Sequence, residues 1–281
     1  MAVTKKILSQ YDVKLVTKWK APKEDWEMRS LIAMPNIPKP LHGPGCQPRT
    51  ILGAGAWNRM RNACYTLAGM KCEICGAKVG TDIEKRQLHA HEVYDIDYAN
   101  GTSTFIRCVA LCAECHLACI HTGRALTLYR RGNPLYPKEF LLGGAKKAFE
   151  TIYTYNLQHP DADLRAYTTY LDYLKVDDLK EPMEELIKKY NIKFYMEDEK
   201  KMAKFGDWKL IVWGKEYHTP YANEKEWKEA MEKQGEKDTA RLLQKNMEEK
   251  FSGGVYDELN TLLNEPVENL SKKPIDSAST L

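Results

Sequence analysis

Between Leu88 and Ala125 the chain carries four of its seven histidines and four of its eight cysteines. Imidazole nitrogen and thiolate sulfur are the side-chain donors best matched to zinc and related divalent ions. Two Cys-x2-Cys pairs frame the region: Cys72 with Cys75 in "CEIC", and Cys112 with Cys115 in "CAEC". A tight turn bearing two thiolates supplies half of a tetrahedral shell, so the two turns together predict a structural zinc bound by all four sulfurs. Cys46, Cys64, Cys108 and Cys119 fall outside this pattern and read as small buried hydrophobes.

Such a shell forms only if intervening elements bring the two turns together. Residues 76–111 separate them, where a plain zinc ribbon uses about 15–20. The insertion has its own structure: "LHAHEVYDIDY" and "TSTFIRCVAL" are rich in β-branched and aromatic residues, and Asn100-Gly101 between them favours a tight turn. A two-stranded ribbon is expected. Upstream, "WNRMRNACYTL" has apolar residues at a helical period leading into Cys72, and downstream "AECHLACIHTGRALTLYRRG" reads as a helix closed by Gly132 and Pro134.

This order of knuckle, strand with histidine, hairpin, knuckle with histidine and helical histidine resembles the HNH endonucleases, whose ββα-metal unit also occurs in colicin DNases and RNA-guided CRISPR nucleases. It is most similar to a group of bacterial and phage HNH proteins. The segments that carry the likeness are "LHGPGCQPRTILGAGAWNRMRNACY", "CEICG", "HEVYDIDYANG" and "VALCAECHLACIHTGRA", with "DWKLIVWGKEY" further on. The resemblance to the ββα-metal unit itself covers about residues 57–131.

It implies a zinc-stabilised ββα-metal domain that hydrolyses DNA phosphodiester bonds, with a second, catalytic divalent ion: Mg²⁺, Mn²⁺, Ni²⁺ or Zn²⁺. His91 matches the base that activates water, and Glu92 beside it could orient a ligand or touch the ion. His116 and His121 match the ligands of that ion, with His89 as a further candidate. Arg124, Arg130 and Arg131 would contact the phosphate backbone, and Arg107 is grouped with them.

Three positions depart from the family pattern. Ala90 stands where the family usually has Asp or His before the base, and Arg107 where the middle Asn often stands. His121 follows His116 by five residues, not four, which in a regular helix puts the two about 140° apart. A π-bulge would realign them; otherwise Cys119 becomes an alternative ligand. These departures favour a second expectation: an HNH-like zinc-binding module without cleavage, acting as a nucleic-acid- or protein-binding regulator, for example a counter-defence factor.

Around this centre the expected fold class is α+β. Residues 1–56 read as a basic N-terminal segment with a Pro-rich arm at 34–50 running over the surface, and 57–135 as the ββα-metal domain. Residues 136–205 read as helical, 206–264 as a separate small hairpin-plus-helix unit, and 265–281 as a loose tail. Lys and Arg outnumber Asp and Glu by 11 to 4 in residues 1–62 but are outnumbered 19 to 24 in residues 171–281, which hints at a polyanionic partner for the N-terminal part. DNA is the expected partner, with a second copy or a host protein as further candidates. No segment approaches 18 uninterrupted apolar residues and the N-terminus lacks a signal-peptide core, so no membrane association and a cytoplasmic location are expected. Trp57, Tyr94 and Tyr98 read as core; His42, His159 and His218 read as structural histidines.

Overall fold

The computed structural model describes residues 5–22, 25–43, 46–78 and 88–235. Two compact units divide at Trp227. In the second, residues 228–235 are helical, and the tail expected at 265–281 lies outside the described residues.

The first unit is α+β with two sheets. Its strands are β1 (Val13–Val16), β2 (Lys18–Trp19), β3 (Leu88–Asp97), β4 (Thr102–Cys112), β5 (Ala166–Tyr167), β6 (Phe194–Glu197), β7 (Lys209–Val212) and β8 (Lys215–His218). The main helices are α1 (Lys5–Leu8), α2 (Pro48–Leu67), α3 (Thr122–Arg130), α4 (Lys138–Gln158) and α5 (Asp177–Lys189). Helix α2 is broken at Gly53, whose φ of 74° and ψ of 160° are not helical.

The hairpin expected around Asn100-Gly101 is present: β3 and β4 pair antiparallel from Asp97↔Thr102 to Leu88↔Cys112. Gly101 takes φ of 63° at the turn, where an added Cβ would also lie 2.7 Å from that of Ala203. Ile106 is skipped by the pairing, since Val93 faces Arg107 and Tyr94 faces Phe105. This bulge leaves Ile106 exposed while its neighbours are covered on both faces of the sheet. On one face Val93, Val109 and Leu111 join the main core. On the other, Tyr94 meets Phe105 edge-on at 6.0 Å, beside buried Cys108 and Cys64, the latter from α2.

The ribbon is the centre of a larger sheet, ordered β2-β3-β4-β7-β8. Strand β7 runs parallel to β4 and β8 returns antiparallel through a Trp213-Gly214 turn. The hairpin around residue 214 therefore extends the central sheet, correcting the expectation of a separate unit. Trp208 at its base is fully buried, edge-on to Tyr98.

The N-terminal segment is also woven in. Strand β1 pairs parallel with β6 in a three-stranded sheet ordered β1-β6-β5, and β2, two residues later, edges the central sheet. The Pro-rich stretch is packed, not a surface arm: Met34, Pro35, Pro38, Pro40, Leu41 and Cys46 are buried. Their cover includes the 219–227 segment, where Thr219 donates its hydroxyl proton to the Pro40 carbonyl and Trp227 Nε1 donates to the His42 carbonyl at 2.6 Å. Proline cannot donate to a sheet, yet its ring is apolar enough to fill a core. Residues 166–175, expected to be helical, form β5 and a run of 3-10 turns from Thr168 to Lys175.

Helix α4 is the long element of the core. Leu141, Ala145, Ala148, Phe149 and Ile152, spaced three and four apart, form its buried stripe. Gly144 lies so close to Ala118 that a Cβ there would sit 2.4 Å from the alanine Cβ. Gly143, its neighbour, has nothing within 4 Å. Gly144→Ala should therefore destabilise the protein by about 1–3 kcal/mol through overpacking, whereas Gly143→Ala should stabilise it by about 0.5–1 kcal/mol through helix propensity. Urea unfolding of the two variants checks the opposite signs.

Candidate metal centres

The first knuckle is a tight turn. Gly76 N donates to the Cys72 carbonyl at 2.8 Å and Cys72 N to the Ala77 carbonyl at 2.9 Å, with Gly76 at φ of 71°. Glu73, inside it, ties the turn to β4: its N–H donates to the Ala110 carbonyl at 2.9 Å, and its carboxylate accepts the Ala110 N–H at 2.8 Å. The second knuckle starts at the last residue of β4, Cys112, so this clamp brings the two turns together. All four sulfurs of Cys72, Cys75, Cys112 and Cys115 lie within 4.8 Å of one another.

Cys75 and Cys112 sulfurs are 3.8 Å apart. Tetrahedral geometry with metal–sulfur bonds of about 2.3 Å requires sulfur–sulfur separations of about 3.8 Å. The arrangement is thus at ion-binding distance. Hydrogen bonds, above all from Cys112 and then Cys115, pull the Cys72 thiol down to about 6 and lower Cys75 as well. Cys115 is raised, first by Cys112. Four packed thiols cannot all ionise unless a cation neutralises them.

A second ligand group lies three residue pairs along the hairpin. His91 of β3 meets His116 and His121, and one ring nitrogen from each lies within 4.8 Å of the others. The five-residue spacing is resolved by a π-turn at Glu114–Ile120, closed by the His121 N–H to His116 carbonyl bond at 3.1 Å. A π-turn spends five residues on roughly the circuit that an α-helix makes in about four, which removes most of the ~140° offset and restores the alignment. The Nε2 atoms of His116 and His121 are 3.2 Å apart, against about 3.3–3.4 Å for two imidazoles bound tetrahedrally at 2.0–2.1 Å.

His91 is 6% exposed, and neither of its ring nitrogens has a hydrogen-bond partner among the described residues. Burying two polar nitrogens unsatisfied is costly; an ion in the group would satisfy the one that faces it. Burial and the charge of His121 lower His91 to about 3. Burial, then Arg124, His42 and His89, lower His121 to about 4, and burial first depresses His116 too. All three imidazoles are neutral near pH 7, with lone pairs free to bind metal.

Other expected site residues are placed differently. His89 stacks on His116 with ring centres 4.8 Å apart, half-buried, and stands outside the three-nitrogen group. Strand alternation sends Glu92 to the opposite face from His91, among Arg49, Tyr94 and Cys108, so it neither orients a ligand nor reaches an ion. Arg107 is committed to the first knuckle: Nη1 donates to Glu73 Oε2 at 2.9 Å and Nη2 lies 3.0 Å from Met28 Sδ. Cys119 is not a ligand either. Its thiol donates to the Gly144 carbonyl at 3.4 Å in the core.

Arg124, exposed in the first turn of α3, lies near enough to depress His42, His89, His116 and His121. Arg130 and Arg131 are exposed at the far end of that helix. Sequence spacing gave no reason to include His42, yet the packing of the Pro-rich segment carries it to within electrostatic reach of His121. Its signal in the sequence was its place in "LHGPGCQPRT", at the head of the first segment that carries the resemblance.

No family model, curated protein or solved structure matches this chain. Its chemistry must be argued from the two ligand groups. No helix among the described residues is long and apolar enough to cross a membrane.

The depressed histidines carry a testable consequence. Three imidazoles at the ordinary value of 6.5 would lose on the order of seventyfold in metal affinity between pH 8 and pH 6, through proton competition alone. Because His91 and His121 lie near 3 and 4 and His116 is also lowered, protons do not compete in that interval. Co²⁺ titration of the histidine group, followed by its visible absorption, should give affinities within about threefold at the two pH values.

Proposed function

We propose that the chain is a metal-dependent endonuclease of the HNH type that hydrolyses DNA phosphodiester bonds. Zinc at Cys72, Cys75, Cys112 and Cys115 would fasten the hairpin to the helices, and a second divalent ion would be held by His91, His116 and His121. The observation that carries the reading is the buried, unpartnered imidazole of His91 meeting the two histidines of the π-turn. A mixed position on a hairpin and the adjoining helix matches the ββα-metal arrangement that the sequence resembles.

The reading differs from the sequence expectation in one role. Both nitrogens of His91 are enclosed and one faces the other two ligands, so His91 is assigned to the ion. His89, half-exposed beside His116, is the imidazole left to accept a proton from the attacking water. The bound ion would supply Lewis-acid stabilisation of the phosphate and of the departing 3′ oxygen. Arg124 is set to grip a non-bridging phosphate oxygen, a bidentate contact that suits guanidinium.

Ala90 and the commitment of Arg107 to Glu73 favour the second reading, a nucleic-acid- or protein-binding regulator that does not cut. A plasmid-nicking assay with Mg²⁺, Mn²⁺ and Ni²⁺ separates the two. Wild type should nick, His116→Ala should lose at least about a hundredfold in rate, and His89→Gln should lose rate while keeping the ion. DNA retention without any nicking in all three metals sinks the nuclease. Metal analysis gives an independent check: purified protein should carry zinc, lost in Cys75→Ser and kept in His116→Ala.

A further inference from the structure

The four-cysteine group has a neighbour outside the knuckles. Gly144 of α4 touches Ala118, and its carbonyl accepts the Cys119 thiol. This close approach fixes α4 against the π-turn. Lys147 follows Gly144 by three residues, on the same face one turn on, which brings it over the start of the π-turn. There its ammonium donates to the carboxylate of Glu114, the residue before Cys115. The Lys147 side chain is 25% exposed, and Cys115 and Cys75 are near enough for ionised sulfur there to favour its charged form.

Four thiolates around a dication retain two negative charges. Cys72 and Cys115 are almost wholly buried while Cys75 is exposed, so water screens the charge on the inner side of the cluster poorly. Glu73 and Glu114 add further negative charge nearby, and Glu73 is already matched by Arg107. A cation fixed beside such a centre offsets that charge, and α4 carries one in Lys147.

We propose that Lys147 is the built-in countercharge of the four-cysteine centre, a positioning residue on α4 whose ammonium holds zinc in its thiolate cage. The inference rests on the zinc reading above. In the alternative, Lys147 serves only as a partner for Glu114, and exposed pairs of that kind contribute little.

Zinc transfer from the full-length protein to a chromogenic chelator distinguishes these. Lys147→Met should release zinc about 10–100-fold faster than wild type, the range typical of lost outer-shell partners. Lys147→Arg should restore slow release. Glu114→Gln, which keeps the cation and removes the competing carboxylate, should release zinc no faster than wild type. If Lys147→Met releases zinc at the wild-type rate, or if Glu114→Gln accelerates release as much as Lys147→Met, the countercharge assignment is overturned. Wild-type protein purified reduced and without zinc would instead overturn the zinc reading, and this inference with it.

Discussion

The seven residues of the π-turn serve two ligand groups at once. Cys115 closes the sulfur cluster and the next residue, His116, belongs to the nitrogen cluster. Adjacent side chains on a helical turn diverge by about 100°, so a single turn can face two ions only if its axis is held between them. Three contacts from three elements supply that constraint. Gly144 abuts Ala118, Tyr170 donates its hydroxyl to the Cys119 carbonyl at 2.6 Å, and β4 delivers Cys112 directly into the turn.

Charge decides which of the surrounding contacts matter. The Arg107–Glu73 pair is 41% exposed on the arginine side, and such pairs are worth at most about 1 kcal/mol. The two bonds between Glu73 and Ala110 lie along the joint between knuckle and strand, so positioning rests on them. Inside the clusters the balance reverses. Buried thiols and imidazoles crowded together without a cation leave unsatisfied groups, each costing about 1–3 kcal/mol. Cys72 and Cys115 belong to the continuous core that runs from the 25–33 turns through α4 to α5, which anchors the sulfur cluster.

Local features of the chain were legible. Knuckle spacing, the Asn100-Gly101 turn and the choice at His121 between a π-turn and Cys119 as ligand all follow from short-range geometry, and the structure has the turn and, of the two alternatives, the π-turn. Long-range partners were not. Nothing in "KLIVWGKEYH" says that its first strand will run beside Thr102–Thr104, because periodicity identifies a buried face without naming what covers it. Prolines at 35, 38 and 40 read as a surface arm since they cannot sustain a helix, yet their rings are what the core uses. Glu92 was legible and was misplaced: strand alternation alone separates it from His91. His42 read as a structural histidine because its approach depends on how a non-periodic segment folds back.

Thr17 stands between β1 and β2, and its carbonyl accepts the N–H of Tyr98 at 2.9 Å. On either side of it the chain changes sheets: Val13 aligns with Phe194 and Trp19 with Ile96. Strand β1 must therefore meet a partner about 180 residues downstream before its ladder can form. The smaller sheet cannot assemble until β6 is available to pair with both β1 and β5. Pairing at so long a sequence separation carries a large loop-closure cost before any contact rewards it, and so slows folding.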